Sequence, residues 1–185
     1  NTDKATRFTY QELFLTYLNF DPHQASIAEL QNCAEQRGLS LNHKAFNKDT
    51  WLQILMNHFI EPQLGQDEPT FVYNFPPSQA ALAKIKHDTP SIAERFEVYI
   101  KGLEIANGYH ELADPKEQKE RFEKDLMERE ALQYPQIPID KQLIAALEAG
   151  FPNCAGVALG IDRLIMLAIG AKQISDVIAF PIERA

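Results

Sequence analysis

The first third of the chain alternates hydrophobic and polar positions with the period of an α-helix. Residues 9–12 read Thr-Tyr-Gln-Glu, a capping box that stands directly before apolar residues at helical spacing. Residues 26–29 repeat this signature, and Gly38 is placed to end the helix that they begin. A third apolar stripe follows over residues 52–59. We therefore predict that residues 1–68 form a helical segment.

From residue 70 the hydrophobic period changes to that of β-strands. Residues 70–73 are β-branched or aromatic and end shortly before two prolines, which predicts a strand. Residues 95–112 alternate well and predict an antiparallel pair that turns near residues 101–102. One face carries Phe96, Val98 and Ile100, and the other carries Arg95, Glu97, Tyr99 and Lys101. The Asn-Gly dipeptide at residues 107–108 is an alternative hairpin turn, because this dipeptide favours tight turns.

The last part of the chain combines two helices with a final strand and helix. An N-cap, a proline and a glutamate at residues 114–117 predict a helix that runs to about Leu132. Residues 140–149 predict a second helix, and residues 177–181 a short apolar strand or loop. The whole pattern predicts an α+β fold with a mainly antiparallel sheet flanked by helices. Residues 69–185 would form the sheet core of a single domain.

Composition and charge narrow the class of protein. The formal net charge is −8 and basic residues are interspersed with acidic ones, so tRNA stays open as a partner but is not favoured. No apolar run is long enough to span a membrane, and no signal-peptide stretch follows Asn1. Cys33 and Cys154 are far apart and form no CxxC pair, which is typical of a reducing compartment. We expect a cytoplasmic protein with no membrane partner.

One segment near the end combines a bare strand with an arginine. Gly156, Ala158 and Gly160 alternate, so on a strand they share one face and leave the backbone open to a flat ligand. Arg163 follows at once on an apolar helical run, and a planar guanidinium there can stack on a base and hold a phosphate. The segment is a candidate nucleotide site. The alternative is a buried strand–helix turn with a surface arginine.

A second cluster gathers polar side chains on the predicted hairpin. Asn107, Tyr109 and Glu111 are spaced by two, so a strand would point an amide, a ring and a carboxylate the same way, which suits an ammonium group. Glu97 and Glu104 form an acidic pair of the kind that Mg²⁺ bridges together with ATP phosphates. Taken alone, these acids also fit an exposed polar face of the sheet.

These two segments, in this order, resemble the class II lysyl-tRNA synthetases. The resemblance covers residues 70–185 and rests on Arg-Phe-Glu at 95–97, on Gly-x-Glu-Ile-x-Asn-Gly-Tyr-x-Glu-Leu at 102–112, and on a strand similar to motif 3 of that family. It implies ATP and Mg²⁺ as cofactors. The metal carboxylates would be Glu97 and Glu104. The ATP site would be formed by Glu104, Ile105, Gly156, Gly160 and Arg163, with Arg163 catalytic. The lysine pocket would be formed by Asn107, Tyr109 and Glu111.

Other segments are similar to a narrower branch, the short paralogues that act on elongation factor P. These are residues 71–76, residues 78–82 and the end of the chain, and Ala158 stands where lysyl-tRNA synthetases usually have glycine. The resemblance implies a homodimer that activates lysine or β-lysine with ATP and transfers it to a lysine of elongation factor P. Ala158 adds a methyl group to the substrate face, and a change of that size shifts discrimination by about 1–3 kcal/mol.

Two motifs of that family have no counterpart in this sequence. Motif 1, at the dimer interface, and motif 2, whose arginine holds the α-phosphate, are both missing. We therefore expect this chain to be the C-terminal part of a longer enzyme and to be inactive alone. Two other interpretations stay open: a lysyl-tRNA synthetase fragment that charges tRNA, and a non-catalytic module that binds an amino acid or a partner.

Overall fold

The architecture follows from a computed structural model, which describes residues 4–41 and 46–182. The strands are β1 (Thr6–Thr9), β2 (Thr70–Phe75), β3 (Ile85–Lys86), β4 (Ile92–Ile100), β5 (Leu103–His110) and β6 (Ala155–Leu159). The helices are α1 (Tyr10–Leu18), α2 (Ile27–Gln36), α3 (Lys48–Leu55), α4 (Pro115–Ala131), α5 (Lys141–Glu148) and α6 (Ile161–Ile169). A π-helical turn, Met56–Ile60, extends α3, and Glu61–Gln63, Pro77–Gln79 and Ile174–Asp176 are 3₁₀ turns.

The helix boundaries follow the capping signals in the sequence. Thr9 and Ser26 each form the full capping box with a glutamate three residues later, which confirms both predicted starts. Gly38 has a φ of +83° just beyond α2. The helix α3 is capped by Asn47 and begins at Lys48, four residues before the apolar stripe at residues 52–59. Trp51 of α3 is fully buried in the core.

Within the described residues, six strands form one sheet in the order β1-β2-β4-β5-β6, with β3 beside β4. Every pair is antiparallel except β1 with β2, so the α+β prediction with a mainly antiparallel sheet is confirmed. The strand β1 lies inside the segment that the pattern predicted to be helical. Its Thr-Arg-Phe-Thr sequence suits a strand, and it is paired with β2 from Thr6 opposite Thr70 onward.

The hairpin of β4 and β5 turns where the break in alternation predicted it. Lys101 and Gly102 have φ values of +53° and +74°, the left-handed region that a tight turn requires. The alternative turn at residues 107–108 is wrong, because both residues are paired within β5. Residues 177–181 form no strand and follow the 3₁₀ turn as a loop.

The polar face of the hairpin is the buried one, and this overturns the interpretation of an exposed polar sheet face. Glu97 is 6% exposed and Tyr99 is 1% exposed. The helical layer α1–α3 packs on this face through a core that includes Phe14, Trp51 and Val72. The opposite, apolar face is less covered, and β6 at the edge of the sheet leaves two of its apolar side chains, Val157 and Leu159, largely exposed.

No helix in the part of the chain that the structure describes is long and apolar enough to cross a membrane. Cys33 and Cys154 are both free thiols.

Candidate active site

A cleft of about 820 Å³ opens between the buried sheet face and the helical layer, a volume typical of small-molecule sites. Its floor is formed by residues of β4 and β5, and its walls by α1, α3, α4 and the turn Pro77–Gln79. Of the sequence-predicted residues, Glu97 and Glu104 line it. The lining also includes Tyr10, Asp49, Asn57, Glu61, Arg95, Tyr99, Arg121, Lys124 and Asp125.

A β-bulge in β5 brings Glu104 onto this floor. Val98 is paired with Ala106 but Tyr99 is paired with Glu104, so Ile105 is an extra residue in the ladder. Since residues directly opposite each other share a face, Glu104 lies on the face of Tyr99. Glu104 and Asn107 therefore share a face although they are three positions apart.

The Glu97 carboxylate is held by three donors. Tyr99 Oη donates to its Oε2 at 2.5 Å, Asn107 Nδ2 donates to its Oε1 at 3.4 Å, and the Arg95 guanidinium forms an ion pair with Oε1. Burial and the adjacent Glu97 charge raise the pKa of Tyr99, which keeps its hydroxyl a donor. The network thus fixes a buried carboxylate at the centre of the floor.

Glu61 contributes a third carboxylate from the helical layer. Asn57 donates to Glu61 Oε1 at 2.6 Å when its amide nitrogen faces the carboxylate, and Tyr99 Oη lies 3.4 Å from the same oxygen. Burial, then the charges of Glu97 and Glu104, raise the pKa of Glu61. Burial and Glu97 likewise raise the pKa of Glu104, while Arg163 and Arg95 oppose the shift. The floor therefore has excess negative charge that a cation would relieve.

The pairing of β5 with β6 extends this face beyond the cleft. Asn107 lies opposite Ala158 and Tyr109 lies opposite Gly156, so the amide, the ring and the small residues share the face of Glu97. The Asn107 Oδ1 atom is buried and accepts no hydrogen bond from the described residues. A buried acceptor without a donor costs free energy until a ligand N–H meets it.

The two predicted glycines make room for side chains of the site. A Cβ on Gly156 would overlap Oε1 of Glu111, so the Glu111 carboxylate lies directly over that glycine. The space at Gly160 is bounded by the stem of Arg163, whose Cδ lies 3.6 Å from the position of a Cβ. The two glycines therefore leave the backbone uncovered by side chains of their own, as the sequence predicted. The side chains of Glu111 and Arg163 occupy part of that space.

Arg163 is anchored beside Glu104 at the start of α6. Its Nη1 donates to the Glu104 carbonyl oxygen at 2.7 Å and lies 3.9 Å from the Glu104 carboxylate. The side chain is 48% exposed, so its guanidinium is open to a ligand. Ile105 is only 4% exposed, and its carbonyl accepts from Gly160 N, so its side chain has little surface for a nucleotide.

The donor set fits Mg²⁺ only in partnership with a ligand. The described residues contain no group of three or more carboxylate, histidine or cysteine side chains placed to hold a metal ion. Mg²⁺ is usually held by one or two carboxylates plus substrate phosphates, which Glu97 and Glu104 can supply. The Glu104 carboxylate, 35% exposed, is the more accessible of the two because Glu97 already accepts three hydrogen bonds.

Sequence reasoning missed several residues of the cleft. Alternation places Arg95 and Tyr99 on the face of Glu97, but it does not indicate that they belong to a site. Glu61 had no such signal, because it belongs to a turn that reaches the floor only through packing of the helical layer. His110 lies outside the cleft, where its ring contacts Glu94 and Asn153.

Comparison with known proteins identifies the family of this chain. Residues 3–184 match the family model of class II tRNA synthetases (D, K and N). The chain is 53% identical to the elongation factor P–(R)-β-lysine ligase of Proteus mirabilis, 52% to that of Yersinia enterocolitica and 50% to that of Pectobacterium carotovorum. Each alignment covers 99% of this chain but 57% of the relative, so the chain spans little more than half of their length. The chain therefore belongs to the class II tRNA synthetase family of the D, K and N type.

Proposed function

We propose that the complete protein is an ATP-dependent ligase that activates (R)-β-lysine and transfers it to a lysine side chain of elongation factor P. The names of the relatives support this substrate and this acceptor. The site supports the chemistry, because its sheet face joins an acidic floor for an ammonium group to an exposed arginine for a nucleotide. We further propose that it acts in the cytoplasm as a homodimer.

The observation that carries the proposal is the unsatisfied Oδ1 of Asn107 on a carboxylate-rich face. An amide oxygen between acidic side chains accepts hydrogen bonds from a cation better than from any neutral ligand. Glu111 and Tyr109 lie further along the same face and complete an amide, ring and carboxylate set. The lysine ammonium groups are the natural occupants of such a pocket.

The proposed reaction has two steps. An oxygen of the amino acid carboxylate attacks the α-phosphorus of ATP, pyrophosphate leaves, and an aminoacyl-adenylate forms. The amine of the acceptor lysine then attacks the carbonyl carbon, an amide bond forms, and AMP leaves with the loss of one proton from the amine. No nucleophilic side chain of the protein is required, so catalysis depends on positioning and on charge.

The residues of this chain orient the reactants. Arg163 offers a guanidinium for the base and phosphates of ATP, next to the Glu104 backbone that fixes its position. Glu97 and Glu104 would hold Mg²⁺, which neutralises phosphate charge when it is bound. Gly156 and Gly160 carry no side chains, so a ligand can approach the backbone of β6 and of the start of α6 closely.

Ala158 is the proposed determinant of the lysine isomer. It lies opposite Asn107 on the substrate face and its side chain is exposed. Its methyl group narrows the space above β6 compared with a glycine, which favours a substrate whose amino group lies one carbon further from the carboxylate. Selectivity of this kind reaches about ten- to 200-fold for one carbon group.

The test is pyrophosphate exchange by the complete protein with L-lysine and with (R)-β-lysine, followed by mass spectrometry of elongation factor P and acceptor assays with tRNA. We expect exchange to prefer (R)-β-lysine and the factor to gain the mass of one lysyl group. Charging of tRNA in place of the factor would instead identify a lysyl-tRNA synthetase. Absence of exchange with both isomers would identify a binding module.

A further inference from the structure

The turn Pro77–Gln79 connects the helical layer to the floor of the cleft. The Ser78 hydroxyl donates to Oδ1 of Asp49 at 2.7 Å, and the Gln79 side-chain amide donates to the same oxygen at 3.2 Å. Asp49 lies in the first turn of α3, so the turn is fixed to that helix. The backbone carbonyl of Gln79 then points inward and accepts from Arg95 Nη1 at 2.8 Å.

Arg95 is fixed on three sides by this arrangement. Besides the Gln79 carbonyl, it forms the ion pair with Glu97 and its guanidinium lies 4.5 Å from the centroid of the Phe75 ring. The side chain is 18% exposed. A planar fork that bonds a carbonyl and a carboxylate at once while stacking on a ring is a geometry that lysine cannot reproduce.

The ion pair has a consequence for the Glu97 carboxylate. Arg95 and Asn107 both donate to Oε1, and Tyr99 donates to Oε2. Together the three donors hold the Glu97 carboxylate in a single orientation. Without Arg95, the Glu97 side chain, which is 7% exposed, loses its cationic partner and one of the two donors that hold Oε1. The carboxylate can then rotate, which displaces the centre of the acidic floor.

We propose that Arg95 is a positioning residue, which fixes the Glu97 carboxylate for the substrate and never touches the substrate itself. The proposal rests on the proposed function, because it takes Glu97 as one of the two carboxylates that would hold Mg²⁺ beside the substrate. It gives the helical layer a role in the reaction, since α3 fixes the turn that holds Arg95. A displacement of about 1 Å in a positioned group can cost roughly 100-fold in rate.

The test compares Arg95→Gln, Arg95→Lys, Glu97→Gln and the double variant Arg95→Gln/Glu97→Gln in the complete protein. Pyrophosphate exchange measures kcat and KM, and calorimetry measures the Kd of L-lysine and (R)-β-lysine without turnover. We expect Arg95→Gln to lower kcat by about 100-fold and Arg95→Lys to recover only part of the loss. If Arg95 acts through Glu97, the double variant should lose no more than Glu97→Gln alone.

A matched control is Arg37→Gln. Arg37 also stacks on a ring, 5.7 Å from the Phe59 centroid, and donates to the Tyr17 carbonyl, and neither Phe59 nor Tyr17 lines the cleft. This variant should lower the melting temperature and leave both Kd values unchanged.

The outcomes separate the two proposals. Wild-type kcat and Kd values in Arg95→Gln, or losses that multiply in the double variant, would overturn the positioning role. If Arg95→Gln does not fold, Arg95→Lys provides the test. Full activity and affinity in Arg95→Lys would overturn the positioning role. A loss of kcat that disappears when Glu97→Gln is also present would support it. Absence of exchange in the wild type would overturn the proposed function instead.

Discussion

The carboxylate of Glu111 lies over Gly156, in the space that any side chain at that position would need. The overlapping atom is the end of a flexible side chain, so Gly156→Ala should displace Glu111 at little cost to the fold. We expect the KM for the lysine substrate to rise by about ten- to 100-fold, because a charge-assisted contact is lost. Exchange kinetics and a thermal melt of the complete protein measure the two effects.

Glu111→Gln provides the comparison for this variant. It keeps the shape of the side chain and removes the charge, so it should raise the same KM. In the Glu111→Gln background, Gly156→Ala should add little, since the contact that it disturbs is already weakened. A large additional loss would show that the alanine acts on the ligand directly.

Arg163 provides a prediction for nucleotide binding. Arg163→Ala removes a stacking surface and a charge together, so we expect the Kd for ATP to rise by at least about tenfold. Arg163→Lys keeps the charge but loses the planar guanidinium that can stack on the base, so it should bind ATP with intermediate affinity. Calorimetry with ATP measures both, and an unchanged Kd in the alanine variant would remove Arg163 from the ATP site.

Ala158→Gly tests the proposed selectivity. The variant removes the methyl group opposite Asn107 and should move the preference from (R)-β-lysine toward L-lysine by about tenfold or more. The ratio of kcat/KM for the two isomers is the relevant measurement, because a general loss of activity leaves it unchanged. An identical ratio in wild type and variant would contradict the role of Ala158.

His110 makes the stability of the hairpin depend on pH. Its Nδ1 lies 2.7 Å from a Glu94 carboxylate oxygen and its Nε2 lies 2.6 Å from Oδ1 of Asn153. These two acceptors raise the pKa of His110 above 6.5, the contact with Asn153 contributing most. The stabilisation is therefore complete below pH 6.5 and is lost as the pH rises through the higher folded-state pKa.

We expect the melting temperature of wild type to exceed that of His110→Gln most at pH 5.5 and least at pH 8.5. The exposed His87 offers a matched control, because within the described residues its ring forms no hydrogen bond or ion pair like those of His110. A difference between wild type and His110→Gln that stays constant across this pH range would contradict the prediction.

The elements of the fold were predictable where local signals act alone. The capping boxes at Thr9 and Ser26 depend on residues three positions apart, and the turn at Lys101 and Gly102 depends on two neighbours. The strand β1 was not predictable in the same way. Four residues form it because β2 lies beside them, and that partner is more than 60 positions away.

The site was predictable in composition but not in its burial. Alternation grouped Arg95, Glu97 and Tyr99, yet no local rule says that a polar face lies under a helical layer while an apolar face stays more open. Glu61 reaches the floor only through the packing of α3 and its extension. Residues that break the usual rule of apolar interiors concentrate where a protein acts.

The extra residue in β5 sets a limit on how this segment can change over time. The bulge at Ile105 shifts the alternation of β5 by one position, so that Glu104 before it and Asn107 after it lie on the same face. With the turn fixed at Lys101 and Gly102, a loss or gain of one residue between Gly102 and Glu104 would pair Glu104 with Ile100 or Val98, whose side chains lie on the other face of the sheet. The position of Glu104 on the acidic floor therefore depends on the length of this hairpin and not only on which residues form it.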